Sequence, residues 1–142
     1  MSFNALYDTA GSALNAQTIR LNTVSSNLAN ADSVASNPND VYKALKPVFS
    51  SVYNQFQSQQ LENPTSVPVY IADVVEVESL VEGRYEPNNP LANEDGYIYH
   101  SGINVVNEMA DMMSATRSFE ASAEVLSNVK SMQQSLLRLM EA

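Results

Sequence analysis

"SNLANADSVA", residues 26–35, decides how this chain is read. It closes a long apolar stripe whose last member is Leu28. Asn27, Asn30 and Asp32 then crowd a few positions, with the small Ala29 and Ala31 between them, and neither Gly nor Pro stops the helix. Upstream, Phe3, Tyr7, Ala10, Leu14, Gln17, Leu21, Val24 and Leu28 alternate steps of four and three, a heptad seam with one polar member. That spacing predicts one helix over 3–30, about 40 Å long. A stripe with so few large apolar members is marginal in water by itself, so it must pack on something.

The other end of the chain supplies a partner. Val105, Met109, Met112, Thr116, Phe119, Ala123 and Leu126 make a second seam, flanked by Val125, Val129, Met132, Leu136 and Leu139. Neither Gly nor Pro interrupts 103–142, which predicts a helix of about 35 residues, about 50 Å long. Leu6, Ala13, Ile19 and Met113 lie off these seams, so a two-helix hairpin leaves apolar surface for neighbouring chains.

Between the helices the period changes. Residues 41–56 mix Val, Tyr and Phe with Pro47, and "VPVYIADVVEV" (67–77) has the β-branched content of a strand. "SQQLENPTS" (58–66) reads as a polar connection, and 85–102 as a turn-rich stretch punctuated by Pro87, Pro90, Gly96 and Gly102. The expected fold is α+β: long N- and C-terminal helices packed as a coiled-coil-like pair, with a small β-rich insert between them. The expected division is 1–35 with 103–142 as a discontinuous helical domain, and 36–102 as the insert.

Charge narrows the function. The chain has 142 residues and a formal charge of −9, with eight acids and only Arg84 in 61–102. Such a balance argues against nucleic acid and against anionic membranes. No apolar run approaches the roughly 18 residues a membrane helix needs, so direct membrane insertion is not expected. The first basic side chain is Arg20, so a cleaved secretory signal with a charged start is not expected either.

Catalytic chemistry has little to stand on. His100 is the sole histidine, read as a loop residue, and there is no nucleophile elbow. "NEDG" (93–96) is a fragment of a calcium loop and reads better as an Asp-Gly turn on an acidic face. The methionines Met109, Met112, Met113, Met132 and Met140 suit adaptable helix packing. Arg117 and Glu120, three apart and flanked by apolar residues, read as a positioning pair in an assembly. No catalytic, metal or cofactor site is expected.

Two stretches carry a family resemblance. "SALNAQTIRLNTVSSNLANADS" (12–33) resembles the N-terminal signature of the flagellar rod, hook and hook–filament axial proteins. Residues 85–132 resemble the proximal rod subunits of that family: Tyr-x-Pro-x-x-Pro-x-Ala, then Gly-Tyr, then a Glu-Met helix with Arg-Ser-Phe. The sequence departs from the pattern at Ser33 (usually Thr), Ser101-Gly102 (commonly Pro-Asn), Phe119 (Tyr) and Ser122 (Asn).

The resemblance implies a structural subunit of the periplasmic drive shaft, exported uncleaved by the flagellar type III apparatus. Its implied partners are FlgB, FlgF, FlgG, FliE, the membrane (MS) ring and copies of itself. Residues expected at subunit interfaces are Leu14, Gln17, Leu21, Asn22, Asn27, Leu28, Asn30, Glu108, Met109, Met112, Arg117, Phe119 and Glu120. Residues 26–33 are expected to turn the chain outward against neighbours, helped by the tolerance of Asn and Asp for left-handed backbone. The rival readings are a different rod subunit, a needle-like secreted hairpin or adaptor, against which 67–77 argues, and an enzyme, for which no constellation is present.

Overall fold

A computed structural model describes residues 3–51, 67–78 and 80–141, with side chains through Leu139. The polar connection at 58–66, the end of the 41–56 stretch and the Met140 side chain lie outside the described residues. The element order is α1 (Phe3–Ala29), β1 (Val34–Ala35), β2 (Ala44–Ser51), β3 (Val69–Val77), β4 (Glu82–Tyr85), β5 (Tyr97–His100) and α2 (Val105–Glu141). Long terminal helices with a small β insert between them in the chain make an α+β fold.

Helix α1 is rich in Ser and Thr, which compete with helical hydrogen bonding. Here the hydroxyls turn back on the helix: Thr9 donates to the Ala5 carbonyl, Ser12 to Thr9, Thr18 to Leu14 and Thr23 to Arg20. Its end uses the same device. The Asn30 side-chain amide and backbone N–H both donate to the Ser26 carbonyl, at 2.8 and 3.1 Å. Ser33 then donates to the Asn30 carbonyl from both Oγ and N–H. Among the described residues no non-glycine residue has a positive φ, so the expected left-handed Asn or Asp is corrected. Side-chain amide and hydroxyl groups satisfy the last carbonyls directly, and no αL residue is required. At the start of α2, the Asn104 carboxamide oxygen accepts the Asn107 N–H at 3.1 Å, an ordinary cap.

Two sheets form the insert. β5 is the central strand of the first, antiparallel to β1 (Val34↔His100, Ala35↔Tyr99) and to β4 (Glu82↔His100 through Tyr85↔Tyr97). β2 and β3 form a two-stranded sheet of their own. β3 covers the stretch expected to be a strand. β5 emerges inside the turn-rich stretch, so His100 is a strand residue rather than a loop residue.

The 86–97 loop is built by Asn93, whose side-chain oxygen accepts N–H groups of Asp95 and Tyr97. Gly96 completes it at φ +79°. A Cβ there would lie 2.9 Å from the Tyr85 ring, which stacks edge-on against Tyr97 with centroids 5.3 Å apart. Gly96→Ala should therefore lower stability by about 1–2 kcal/mol, from left-handed backbone strain plus ring displacement. A urea titration of the purified chain measures this directly.

The chain falls into two compact units, Met1–Ile19 with Val48–Asp73 and Ser114–Ala142, and Arg20–Pro47 with Val74–Met113. In the first, Ala10, Ala16, Ala115 and Val129 are buried, and Tyr7 donates to Gln133. In the second, Val24, Asn27 and Ile98 are the largest fully buried side chains, joined by Ala31, Val41 and Ala44. There Arg20 and Asn27 of α1 reach Asp111 and Glu108 of α2, so the two helical segments run antiparallel.

The expected seam of α2 is turned inward in part. Of its expected members Met112, Phe119, Ala123 and Leu126 are half-buried, whereas Val105, Met109 and Thr116 are exposed, and the fully buried positions beside them are Glu108, Ala115 and Val129. The small Ala115 is the most deeply buried residue of α2, while the large Met109 and Met113 stay outside. On α1, Ala10 and Val24 are buried as expected, and Ala16, Thr23 and Asn27 join them.

Candidate functional site: a polar clasp beneath exposed apolar helix faces

The least expected feature is a buried amide. Asn27 has no exposed surface and uses its full hydrogen-bonding capacity. Its Nδ2 donates to the Leu45 carbonyl and to Glu108 Oε2, both at 2.9 Å. Its Oδ1 accepts the Leu45 N–H at 2.8 Å and the Tyr42 hydroxyl at 3.2 Å. The side-chain amide thus stands in for a neighbouring strand beside β2, engaging both backbone groups of one residue.

Glu108 passes the connection on. Its Oε1 accepts from Lys46 Nζ at 2.6 Å, and Lys46 also reaches Asp111 Oδ2 at 3.0 Å. Asp111 Oδ1 accepts from Arg20 at 3.0 Å. The network ties α1, β2 and the first turns of α2 together. Burial disfavours the Lys46 charge, yet its hydrogen bonds and charge pairing with Glu108 and Asp111 prevail and raise its pKa. The Lys46 hydrogen bond holds the Asp111 carboxyl below its ordinary value against partial burial, with Arg20 helping.

The pH dependence follows from these directions. Asp111 is lowered in the folded chain, so its contribution is present above an unfolded pKa of about 4 and lost as pH falls through the folded value. Lys46 is raised, so its contribution is present below about pH 10.4 and lost as pH rises through the folded value. Urea midpoints should fall below about pH 4, and Asp111→Asn should flatten part of that decline. An unchanged acid profile in the variant would exclude Asp111 as its source.

The expected interface residues divide by placement. Asn27 and Glu108 point inward and are engaged within the chain. Leu14, Gln17, Leu21, Leu28, Asn30, Met112 and Phe119 are half-buried. Asn22, Met109, Arg117 and Glu120 are exposed, and Arg117 and Glu120 form no ion pair among the described residues. Gln17 Oε1 and His100 Nε2 are buried without a hydrogen-bond partner among the described residues. Arg20, Tyr42, Lys46 and Asp111 were absent from the expected set. Arg20 lies one heptad before Asn27, and Asp111 three residues after Glu108. Those two spacings place paired polar groups on one helix face and were the available signal.

Two departures from the family pattern have structural work here. Ser101 is buried and donates to the Ala31 and Asn30 carbonyls, while its N–H reaches the Ser33 carbonyl. At Gly102 an added Cβ would collide with the Leu80 carbonyl oxygen and lie 2.9 Å from its carbon. Backbone passes so closely there that only glycine fits.

Chemically, the clasp positions backbone and does not activate a nucleophile. No group of three or more His, Cys, Asp or Glu among the described residues is placed to hold a metal. No described helix is long and apolar enough to cross a membrane. Large apolar side chains stand outside: Val106 is 74% exposed, Met109 53%, Met113 59%, and Leu139 75%.

Known proteins are similar to this chain over most of its length. Residues 8–35 match the family described as "Flagella basal body rod protein", and 94–139 match "Flagellar basal body rod FlgEFG protein C-terminal". The chain is 42% identical over 139 residues to the flagellar basal-body rod protein FlgC of Escherichia coli O6:H1 (strain CFT073), covering 98% of both chains. The figures are the same for FlgC of Salmonella typhimurium (strain LT2). Against FlgC of Aquifex aeolicus (strain VF5) identity is 42% over 128 residues, 90% of this chain and 89% of the relative. These relatives are structural rod proteins, and the chain belongs to the FlgC family of flagellar basal-body rod proteins.

Proposed function

We propose that the chain is a subunit of the proximal rod in the periplasm, exported by the type III apparatus without a cleaved signal. There it packs against copies of itself and against FlgB, FlgF, FlgG, FliE and the MS ring, and transmits torque through many shallow interfaces. Residues 1–35 and 103–142 form the inner helical domain of that assembly, and 36–102 the outer insert. Leu14, Gln17, Leu21, Asn22, Leu28, Asn30, Met109, Met112, Arg117, Phe119 and Glu120 meet neighbours, while Asn27 and Glu108 shape that surface from within.

One observation carries this reading. α2 turns Ala115 and Ser122 inward and leaves Val106, Met109, Met113, Leu137 and Leu139 outside. A helix that exposes its larger apolar residues gains by being covered, and a non-closing heterologous contact covers it in a tube. The test is deletion of the gene in its own host, with electron microscopy of isolated basal bodies. Membrane rings lacking a rod, restored by the wild-type gene, are expected. Complete rods and normal swimming would reject the role.

A further inference from the structure

The three-stranded sheet has two faces, and its registers say which residues share them. Side chains alternate along a strand, and directly paired residues point the same way. Ile98 of β5, with Arg84 of β4 opposite it, belongs to one face, and Ile98 is 1% exposed. The other face carries Tyr97 and Tyr99 of β5, Gly83 and Tyr85 of β4, and Ala35 of β1. Contacts across the strands agree. The Tyr85 and Tyr97 rings meet edge-on, and a Cβ at Gly83 would lie 3.3 Å from the Tyr99 ring. Tyr99 thus lies over the bare glycine.

This aromatic face is open. Tyr85 is 62% exposed and Tyr97 42%, Gly83 is exposed, and Tyr99 is half-buried. In an edge-on pair each ring keeps a face that its neighbour does not cover. Tyrosine is enriched at protein interfaces and concentrates binding energy there.

The surrounding charge names the occupant. Glu86 follows Tyr85, and its N–H donates to the Gly96 carbonyl at 2.9 Å. The turn that enters β5 sets Glu94 and Asp95 just before Gly96 and Tyr97. Three carboxylates therefore gather at the Tyr85–Tyr97 end of the sheet. Glu86 pairs with Arg84 at 3.1 Å, whereas Glu94 and Asp95 are exposed and enter no ion pair among the described residues. Open tyrosine rings beside unpaired carboxylates favour a cation, and arginine is the side chain that stacks on such a ring while pairing with carboxylate. The chain's own arginines do not fit. Arg20 and Arg84 already pair with Asp111 and Glu86. Arg117 and Arg138 lie on α2, which the rod reading sets in the inner domain.

We propose that the tyrosine face of this sheet docks an arginine side chain of a different protein, its guanidinium over the Tyr85–Tyr97 pair and within reach of Glu94 and Asp95. The rings supply the contact, and the carboxylates select the charge. This deepens the rod reading and rests on it, because a neighbour in the assembly supplies the arginine.

The test places benzoylphenylalanine at Tyr85 in the host, irradiates isolated basal bodies and identifies the joined peptide by mass spectrometry. The expected product is a peptide of another basal-body protein, joined at or beside an arginine. Glu94→Lys with Asp95→Lys should cut its yield about tenfold, two attractions becoming repulsions. Tyr97→Leu should cut it about threefold and Tyr97→Phe much less, because phenylalanine keeps the ring. If circular dichroism finds the Lys pair unfolded, Glu94→Gln with Asp95→Gln decides, and an unchanged yield overturns the proposal. Equal yields from the Leu and Phe variants overturn it as well. So do basal bodies that contain the chain but give no product, a product with another copy, a peptide without arginine at the junction, or a joined glycan. If the benzoylphenylalanine chain stays out of basal bodies that the wild-type chain enters, the same substitution at Tyr97 decides. Basal bodies that lack even the wild-type chain would instead defeat the rod reading itself.

Discussion

Asn27→Leu should lower the unfolding free energy of the purified chain by about 3 kcal/mol or more. Leucine has similar bulk and cannot bond. It would leave the Leu45 N–H and C=O and one Glu108 oxygen without the partner they now share. Each buried polar group so stranded costs about 1–3 kcal/mol, more for a charged one. Against a typical domain stability of about 5–15 kcal/mol that is a large fraction. Asn27→Asp should be no milder near neutral pH, since it sets a carboxylate beside Glu108 and loses both donated bonds. Urea titrations of the two variants measure the effect. A leucine variant as stable as the parent would remove the clasp from any account of this fold.

Glu108→Ala comes next, at about 1.5–3 kcal/mol, the range for hydrogen bonds to a charged group. The loss stays below that of a fully enclosed ion pair because the Lys46 side chain is 39% exposed and regains water when released. What remains stranded is one Asn27 N–H. Because the two residues share a bond, the double variant should lose less than the sum of the single losses, by at least about 0.5 kcal/mol. Strict additivity would mean that Asn27 and Glu108 act independently.

The helices were legible because apolar residues recur over many turns, and no local alternative competes with such a run. β3 was legible from its β-branched content. The phase of α2 was legible only in part, for a physical reason. Burial tracks how closely two backbones approach, so Ala115 lies inside while the bulkier Met109 stays out. β5 is four residues between Gly96 and Gly102, and exists because β1 and β4 pair with it on both sides. Asn27 was picked out as unusual, but its direction was not legible. What turns it inward is Leu45 and Glu108, partners that no local period announces.

The clasp also sets a schedule. Asn27 and Glu108 are 81 residues apart, Lys46 and Glu108 62, and Arg20 and Asp111 91. Contacts of such separation require loop-closure entropy to be met before they contribute, and they delay folding. Whichever end of the chain is made first, its half of the clasp must wait for the other. Strand β2 cannot be locked to both helices until residues 20–111 are all free to fold. A chain built this way becomes rigid late, when its two ends meet.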